Sequence, residues 1–237
     1  MKILEFKNVV AKYKNAANNQ LNNISFDVNK GEMVALVGSS GAGKSTIFAA
    51  IYRDLKILKG QILIQGTPIY KANKKQTKKI FKNIGYLSQS FETTENDDVL
   101  TYISRIFWFS FLTKHKTEQI FNVLKKLNIE DIAFNKIKDI SGGQLQRVEI
   151  AKMLLKEKSI ILADEPTSNL DPKTTQDFLN ILKEINEQKQ ITIVCVMHDI
   201  QAVKKNFQKY IAIKNGEIFK MGACLDLNDE TIDEIYR

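Results

Sequence analysis

The sequence is poor in cysteine and in long apolar runs, and each shortage excludes a class of protein. Its two cysteines, Cys195 and Cys224, form no CxxC pair and no cluster with histidine, so neither a disulfide framework nor a structural zinc site is expected. No run approaches the roughly 18 apolar residues that a membrane-spanning helix needs. The most apolar stretches, 106–112 and 192–197, have the length of a strand or a short helix, so the chain is not expected to form a channel by itself.

The start of the chain also lacks the apolar segment and cleavage site of a secretory signal, so we expect it in the cytosol unless another protein recruits it. Positive charge, in contrast, is in excess. The formal net charge is +8, which favours an anionic partner such as nucleic acid, a lipid surface or nucleotide phosphates. Much of this charge lies in the lysine-rich stretch 71–82. We interpret the stretch as a solvated loop or helix face, with a lipid-headgroup contact as the alternative.

Apolar patterning indicates an α/β fold. Alternating apolar residues predict short half-buried strands at 3–9, 24–28 and 61–64. Unbroken apolar runs at 33–37, 159–163 and 191–197 predict strands buried on both faces, as in a parallel sheet. A helix is predicted over 45–55, directly after a glycine-rich loop. Because parallel strands present the residues that follow them at one edge of the sheet, a ligand site is expected at that edge.

The middle of the chain, from about residue 90 to 158, has a different pattern. Its apolar residues recur at helical spacing, as at Ile120, Leu124 and Leu127, and again at Val148 and Ala151. We therefore predict a helical insertion. The final residues, 226–237, are predicted to form a short acidic helix rather than a further domain.

A glycine-rich segment after the first buried strand fits the pattern GxxxxGK[ST]. It consists of Gly38, Ser39, Ser40, Gly41, Ala42, Gly43, Lys44, Ser45 and Thr46. In such a phosphate-binding loop the backbone N–H groups surround a phosphate, and the following helix adds the positive end of its dipole. Lys44 would reach the β- and γ-phosphate oxygens, and the Ser45 hydroxyl can bind Mg²⁺. The alternative is a glycine-rich turn with a chance lysine, which the flanking strand and helix disfavour.

Two adjacent carboxylates, Asp164 and Glu165, follow the second buried strand. Next to a phosphate loop, Asp164 is expected to hold the magnesium shell, and Glu165 to orient or deprotonate the attacking water. Taken alone, such an acidic pair could equally be a helix cap. Together with the phosphate loop, it indicates a nucleotide-hydrolysing enzyme.

The segment Ser141, Gly142, Gly143 and Gln144, upstream of Asp164, narrows this assignment. It resembles the signature of the ATP-binding cassette family in form and position. In that family the signature of one subunit closes over ATP held by the phosphate loop of the other subunit. A Ser-Gly-Gly turn that opens a helix is an anion site in its own right. Ser141 could alternatively serve only as a helix N-cap.

The resemblance covers nearly the whole chain and assigns four further residues. It implies that Tyr13 stacks on adenine, and that Gln89 links the magnesium ion and the water to the helical insertion. Asp171, in the segment 168–171, corresponds to the stretch that crosses the dimer interface, and His198 to the histidine that contacts the γ-phosphate. The family usually has leucine where this chain has Ile140, a swap of equal volume that should be tolerated.

The resemblance also implies a fold and a set of partners. The fold would be a P-loop NTPase (RecA-like) core with an antiparallel β subdomain, at about 1–89 and 159–237, and an inserted α-helical subdomain at about 90–158. ATP and Mg²⁺ would be the cofactors. The partners would be a second copy of the chain, transmembrane permease subunits and an extracytoplasmic solute-binding lipoprotein, which place the chain at the cytoplasmic face of the cell membrane.

Within the family, the stretch 103–135 and the ending 231–237 look most like the phosphonate-type importers, including the related high-affinity uptake system of mollicutes. Two alternatives remain. An ATPase for lipoprotein release or export would share every catalytic residue. A soluble cassette ATPase acting on nucleic acid would suit the basic charge, but the tandem cassettes, long coiled-coil insertion or zinc-binding cysteines usual in such proteins do not occur, so no nucleic-acid partner is expected.

Overall fold

The computed structural model describes residues 1–88, 96–107, 113–168 and 170–236. Its strands are β1 (Lys2–Tyr13), β2 (Leu21–Asn29), β3 (Met33–Val37), β4 (Leu55–Ile64), β5 (Thr67–Pro68), β6 (Ile84–Leu87), β7 (Ile160–Asp164), β8 (Thr192–Val196), β9 (Lys209–Lys214) and β10 (Glu217–Ala223). Its α-helices are α1 (Lys44–Ile51), α2 (Lys74–Lys82), α3 (Val99–Ser104), α4 (Lys114–Lys126), α5 (Gly142–Leu155), α6 (Pro172–Lys189), α7 (Ile200–Asn206) and α8 (Asp229–Tyr236). Short 3₁₀ turns occupy Arg105–Phe107, Glu130–Ile132, Ile137–Asp139 and Cys224–Asp226.

The larger sheet has the strand order β10-β9-β3-β8-β7-β6. Neighbouring strands from β9 to β6 run parallel, and β10 pairs antiparallel with β9 at one edge. Every residue of β3 and β8 is buried, which accounts for their unbroken apolar sequences. The predicted parallel sheet is therefore confirmed. The carboxyl ends of β3, β6, β7 and β8 meet at one edge, and the loops that follow these strands form the candidate site.

The smaller sheet, β2-β1-β4-β5, is antiparallel throughout. Its buried side chains share one cluster with α1 and with one face of the larger sheet, including Phe6, Phe26, Phe48 and Val194. Phe6 and Phe26 are paired across β1 and β2, and their rings stack at a centroid distance of 4.6 Å. This sheet confirms the expected antiparallel β subdomain. Its core packs directly against the helix that follows the glycine-rich loop.

Helix α1 is shorter than predicted. It ends at Ile51 rather than near residue 55, because the chain turns at Arg53 with a left-handed φ of 69° and enters β4 at Leu55. The predicted strand at 61–64 is only the second half of β4. Its first half carries exposed lysines, Lys56 and Lys59, which hide the apolar alternation in the sequence. Pairing with β1 makes this half a strand.

The chain between β6 and β7 is helical in its described parts, as predicted. Helices α3, α4 and α5 bury Ile103, Ile120, Leu124 and Val148 in one cluster with the second face of the larger sheet. Among the residues that the structure describes, no helix is both long and apolar enough to cross a bilayer. The division of the chain into subdomains at about residues 90 and 158 stays a prediction.

Candidate active site

The glycine-rich loop between β3 and α1 is shaped by glycines in conformations that other residues avoid. Gly38 has a φ of 142°, and a Cβ atom added there would lie 2.2 Å from the carbonyl oxygen of Ile213. Gly43, the N-cap of α1, has a φ of 104° and offers no side chain to cap the helix. The first N–H groups of α1 are therefore left for another acceptor, and a bound anion is one that suits a helix amino terminus.

Lys44 is buried at the start of α1, with an exposed fraction of only 5%. Its Nζ donates hydrogen bonds to the carbonyl oxygens of Gly38, at 2.9 Å, and of Ser39, at 2.8 Å. Burial lowers the pKa of the Lys44 ammonium, and the charges of Glu165 and Asp164 act in the opposite direction. The loop thus folds around a partly desolvated cation, which suits it to a multiply charged phosphate group.

Asp164, at the end of β7, binds two side chains at once. Its Oδ1 accepts a hydrogen bond of 2.8 Å from the Ser45 hydroxyl, and its Oδ2 accepts one of 3.2 Å from the Tyr86 hydroxyl. The contact with Ser45 joins the carboxyl end of β7 to the first turn of α1. It places two oxygen atoms of the kind that hard cations prefer next to each other, beside the phosphate-binding loop.

Glu165 and His198 form the second contact of the site. The Nε2 atom of His198 lies 2.7 Å from Oε1 of Glu165, and both side chains are partly exposed. Glu165 has a left-handed φ of 47°, so the chain turns sharply between Asp164 and Pro166. This turn points two successive carboxylates at different partners. One faces Ser45, and the other faces the loop after β8.

Tyr86 is a site residue that the sequence analysis missed. Its ring makes edge contacts with Phe48 and Tyr52, at centroid distances of 6.2 and 5.6 Å, while its hydroxyl bonds to Asp164. Burial raises the pKa of this hydroxyl, and the neighbouring Asp164 charge raises it further, so Tyr86 stays protonated and donates a hydrogen bond to the carboxylate. Pairing of β6 with β7 brings the two residues together, and no local motif in the sequence predicts it.

A cavity of about 610 Å³ opens beside these residues, and Tyr13 lies on its wall. Tyr13 ends β1 with an exposed fraction of 42%, so its side chain is not enclosed by the core. The wall also includes Ser45, Phe48, Tyr86 and Asp164. An aromatic ring and a phosphate-binding loop therefore border the same space, as the stacking role expected for Tyr13 requires.

The Ser141 turn is held by hydrogen bonds within the first turn of its own helix. Ser141 is the N-cap of α5 and forms a capping box with Gln144: its Oγ accepts from the Gln144 N–H at 3.3 Å, and Gln144 Oε1 accepts from the Ser141 N–H at 2.9 Å. Ser141 is therefore an N-cap in this chain, and its contact with ATP stays a prediction. Ser141 and Gly142 are exposed, whereas Gly143 is buried against Thr174 of α6.

Gln146, which follows Gln144 by two residues in α5, was also missed. It is buried, and its Nε2 donates to the carbonyl oxygen of Pro166 in the loop that follows Glu165. Its Oε1 has no hydrogen-bond partner among the described residues. A buried glutamine is costly unless it is paired, so this bond ties the position of α5 to the Glu165 loop.

The two remaining predicted residues are Asp171 and Gln89. Asp171 caps α6, where its side chain accepts hydrogen bonds from Lys173 and Thr174, and these bonds lower its pKa. Its part in a dimer interface stays a prediction. Gln89 lies outside the described residues. The structure thus brings Lys44, Ser45, Asp164, Glu165 and His198 together, with Tyr13 and Tyr86 on the adjoining cavity.

Comparisons with known proteins identify the family of this chain. The family model described as ABC transporter matches residues 21–168. The phosphonates import ATP-binding protein PhnC of Bacillus thuringiensis subsp. konkukian is 38% identical over 99% of this chain and 94% of its own length. The protein of the same name from Fusobacterium nucleatum is 36% identical over 99% of this chain and 98% of its own.

Solved structures give the same result at lower identity. CbiO1 from Clostridium perfringens, part of the ABC transporter complex cbiONQ, superposes with a TM-score of 0.88 at 27% identity, covering 98% of this chain and 93% of that chain. The ATP-binding cassette MJ0796, in a dimeric post-hydrolysis state bound to ADP and Pi, superposes with a TM-score of 0.80 at 29% identity, covering 94% and 100%.

Proposed function

This chain belongs to the ATP-binding cassette family, as the ATP-hydrolysing subunit of an ABC transporter, and we propose that it powers the uptake of a phosphonate or a similar phosphate-ester-like solute. The solute class is supported by the relatives of nearly equal length that are named for phosphonate import. Uptake is therefore favoured over lipoprotein release or export, and over action on nucleic acid.

The observation that carries the catalytic proposal is the convergence of Lys44, Glu165 and His198. Lys44 and the loop N–H groups hold the β- and γ-phosphates. Glu165 orients the attacking water and takes up its proton, and the His198 imidazole contacts the γ-phosphate. The distance of 2.7 Å between His198 Nε2 and Glu165 Oε1 supports this division, because both groups can then reach one reacting centre.

We further propose that ATP binds together with Mg²⁺. The Ser45 hydroxyl and Asp164 Oδ1 are 2.8 Å apart and are oxygen donors of the type that Mg²⁺ prefers. Few protein ligands suffice, because Mg²⁺ usually retains several waters and is shared with substrate phosphates. When bound, the ion neutralises negative charge on the β- and γ-phosphates. Tyr86 holds the second carboxylate oxygen, and Gln89 is proposed as an additional contact.

The complete hydrolytic site is proposed to form between two copies of the chain. The exposed Ser141 turn would close over the ATP that the partner's phosphate loop holds, with Asp171 near the shared interface. A dimeric state of a related cassette supports this proposal. Bound ATP would then hold the two subunits together, and its hydrolysis would let them separate.

The remaining partners are proposed to be membrane subunits and a solute-binding protein. A permease would bind this chain at the cytoplasmic face of the cell membrane, and an extracytoplasmic lipoprotein would deliver the solute. The related CbiO1 is part of a transporter complex, which supports the permease. The lipoprotein is proposed from the importer resemblance.

The test is reconstitution of the chain in liposomes with the permease and binding lipoprotein encoded beside it. ATP hydrolysis is measured with methylphosphonate or 2-aminoethylphosphonate, and with sulfate as the control anion. We expect the phosphonates to stimulate hydrolysis and sulfate to leave it unchanged. An assembled complex that hydrolyses ATP but responds to neither phosphonate would refute the solute class. Absence of hydrolysis in that complex would refute the catalytic proposal.

A further inference from the structure

The last helix of the chain, α8, reaches back to the candidate active site. The hydroxyl of Tyr236, its final residue, lies 3.4 Å from the carbonyl oxygen of His198 and donates a hydrogen bond to it. Burial raises the pKa of the same hydroxyl, and the nearby backbone N–H of Gly38, in the phosphate-binding loop, acts in the opposite direction. One hydroxyl of α8 therefore bonds to the His198 loop and lies near the start of the phosphate-binding loop. Neither the glycine-rich motif nor the sequence around His198 predicts this contact.

His198 lies in the short loop between β8 and α7. Strand β8 ends at Val196 and α7 begins at Ile200, so His198 belongs to neither element. The preceding Met197 is fixed by a backbone hydrogen bond to Leu36 of β3. The following Asp199 is fixed as the N-cap of α7. The carbonyl of His198 itself is held from α8, through Tyr236.

Helix α8 is held in place by core packing and by side-chain contacts with β10. Ile235 is 2% exposed and shares the main core cluster with Val203 of α7. Lys220 of β10 donates to the Thr231 hydroxyl at 3.1 Å and pairs with Glu234 at 3.4 Å. Because α8 packs on the same core as the helix that follows His198, the Tyr236 hydroxyl is positioned independently of the nucleotide.

We propose that Tyr236 is a positioning residue for hydrolysis: its hydroxyl holds the backbone of the His198 loop, so that the imidazole Nε2 stays in contact with Glu165. Tyr236 does not itself touch the reacting atoms. Its removal therefore lowers the rate of the chemical step without lowering the affinity for ATP. The inference rests on the catalytic role proposed above for His198.

The test variant is Tyr236→Phe, which deletes the hydroxyl and keeps the ring. Tyr70→Phe is a matched control, because the Tyr70 hydroxyl also donates to a backbone carbonyl, that of Ala50, at 2.8 Å but away from His198. We expect kcat for ATP hydrolysis to fall about fivefold in Tyr236→Phe, the effect of one neutral hydrogen bond, with KM for ATP within about twofold of the wild type. Tyr70→Phe should leave kcat unchanged.

A second readout needs no activity. The chain contains two histidines, His115 and His198, so ring-labelled histidine gives a spectrum that a His115→Gln variant assigns. We expect the His198 ring resonances to shift or broaden in Tyr236→Phe, while those of His115 stay in place. Ile232→Val, which trims the packing of α8 but keeps the hydroxyl, should leave both signals unchanged.

The outcomes separate this inference from the function itself. Unmoved His198 resonances in a folded Tyr236→Phe protein overturn the positioning role, as does an equal loss of kcat in Tyr70→Phe. If Tyr236→Phe does not fold, an altered His198 signal in Ile232→Val also overturns it, because helix packing rather than the hydroxyl would then set the loop. A wild-type protein without ATPase activity contradicts the proposed function, and the resonances still report on Tyr236.

Discussion

Replacement of Glu165 by glutamine is expected to separate ATP binding from ATP hydrolysis. The amide keeps the size of the side chain, and its oxygen can still accept a hydrogen bond from His198 Nε2, which lies 2.7 Å from Oε1 in the wild type. The left-handed backbone is no obstacle, because glutamine already occupies it at Gln65, with a φ of 49°, and at Gln190, with a φ of 53°. The variant should therefore fold normally.

What the variant loses is the base. Loss of a positioned general base slows the chemical step by about 10²- to 10⁴-fold, equivalent to about 2.7 to 5.4 kcal/mol in activation free energy. Binding of MgATP should be retained, since Lys44 and the loop N–H groups are untouched. With binding intact and turnover blocked, the ATP-bound dimer should accumulate.

Two measurements check this reasoning. Phosphate release follows turnover, and light scattering with and without saturating MgATP follows dimer formation. Phosphate release near the wild-type rate would remove Glu165 from its role as the base. A Glu165→Gln protein that binds MgATP but stays monomeric would contradict the two-copy site instead.

The remaining predictions concern the phosphate-binding loop and its surroundings. Lys44→Ala should weaken MgATP binding at least about tenfold, because the buried triphosphate loses its nearest cation; unchanged affinity in a nucleotide titration would show that the loop is not the site. Tyr86→Phe should raise the Mg²⁺ concentration for half-maximal nucleotide binding about fivefold, since Asp164 loses one hydrogen bond; calorimetry at several Mg²⁺ concentrations measures this, and an unchanged Mg²⁺ dependence would contradict it. Gly38→Ala should lower the melting temperature by several degrees, whereas Gly142→Ala, where a Cβ meets nothing within 4 Å, should not. Equal melting temperatures for the two alanine variants would disprove the steric argument.

The fold class was predictable because its signals are local. The apolar runs that became β3, β7 and β8 are long enough to be recognised one at a time, and parallel strands buried on both faces leave no polar alternation to confuse the pattern. The first half of β4 was not predictable in this way. Its exposed lysines, Lys56 and Lys59, resemble a loop, and only pairing with β1 makes the segment a strand.

The residues of the candidate site also differ in how well the sequence predicts them. The residues of the glycine-rich loop and the Asp164–Glu165 pair are contiguous in sequence, so their spacing alone predicts their chemistry. Tyr86, Gln146 and Tyr236 carry no such signal, because each acts through one contact with a residue far away in the chain: Asp164, Pro166 and His198, respectively.

The sequence by itself determined the kind of chemistry, since a phosphate-binding loop is a local backbone structure whose glycines and lysine must be neighbours. The tertiary structure alone decided how that chemistry is held in place. Strand order set which carboxylate meets Tyr86, and the packing of α8 set which loop meets Tyr236. Such contacts join distant segments through single hydrogen bonds, and their partners are fixed only when the core has formed.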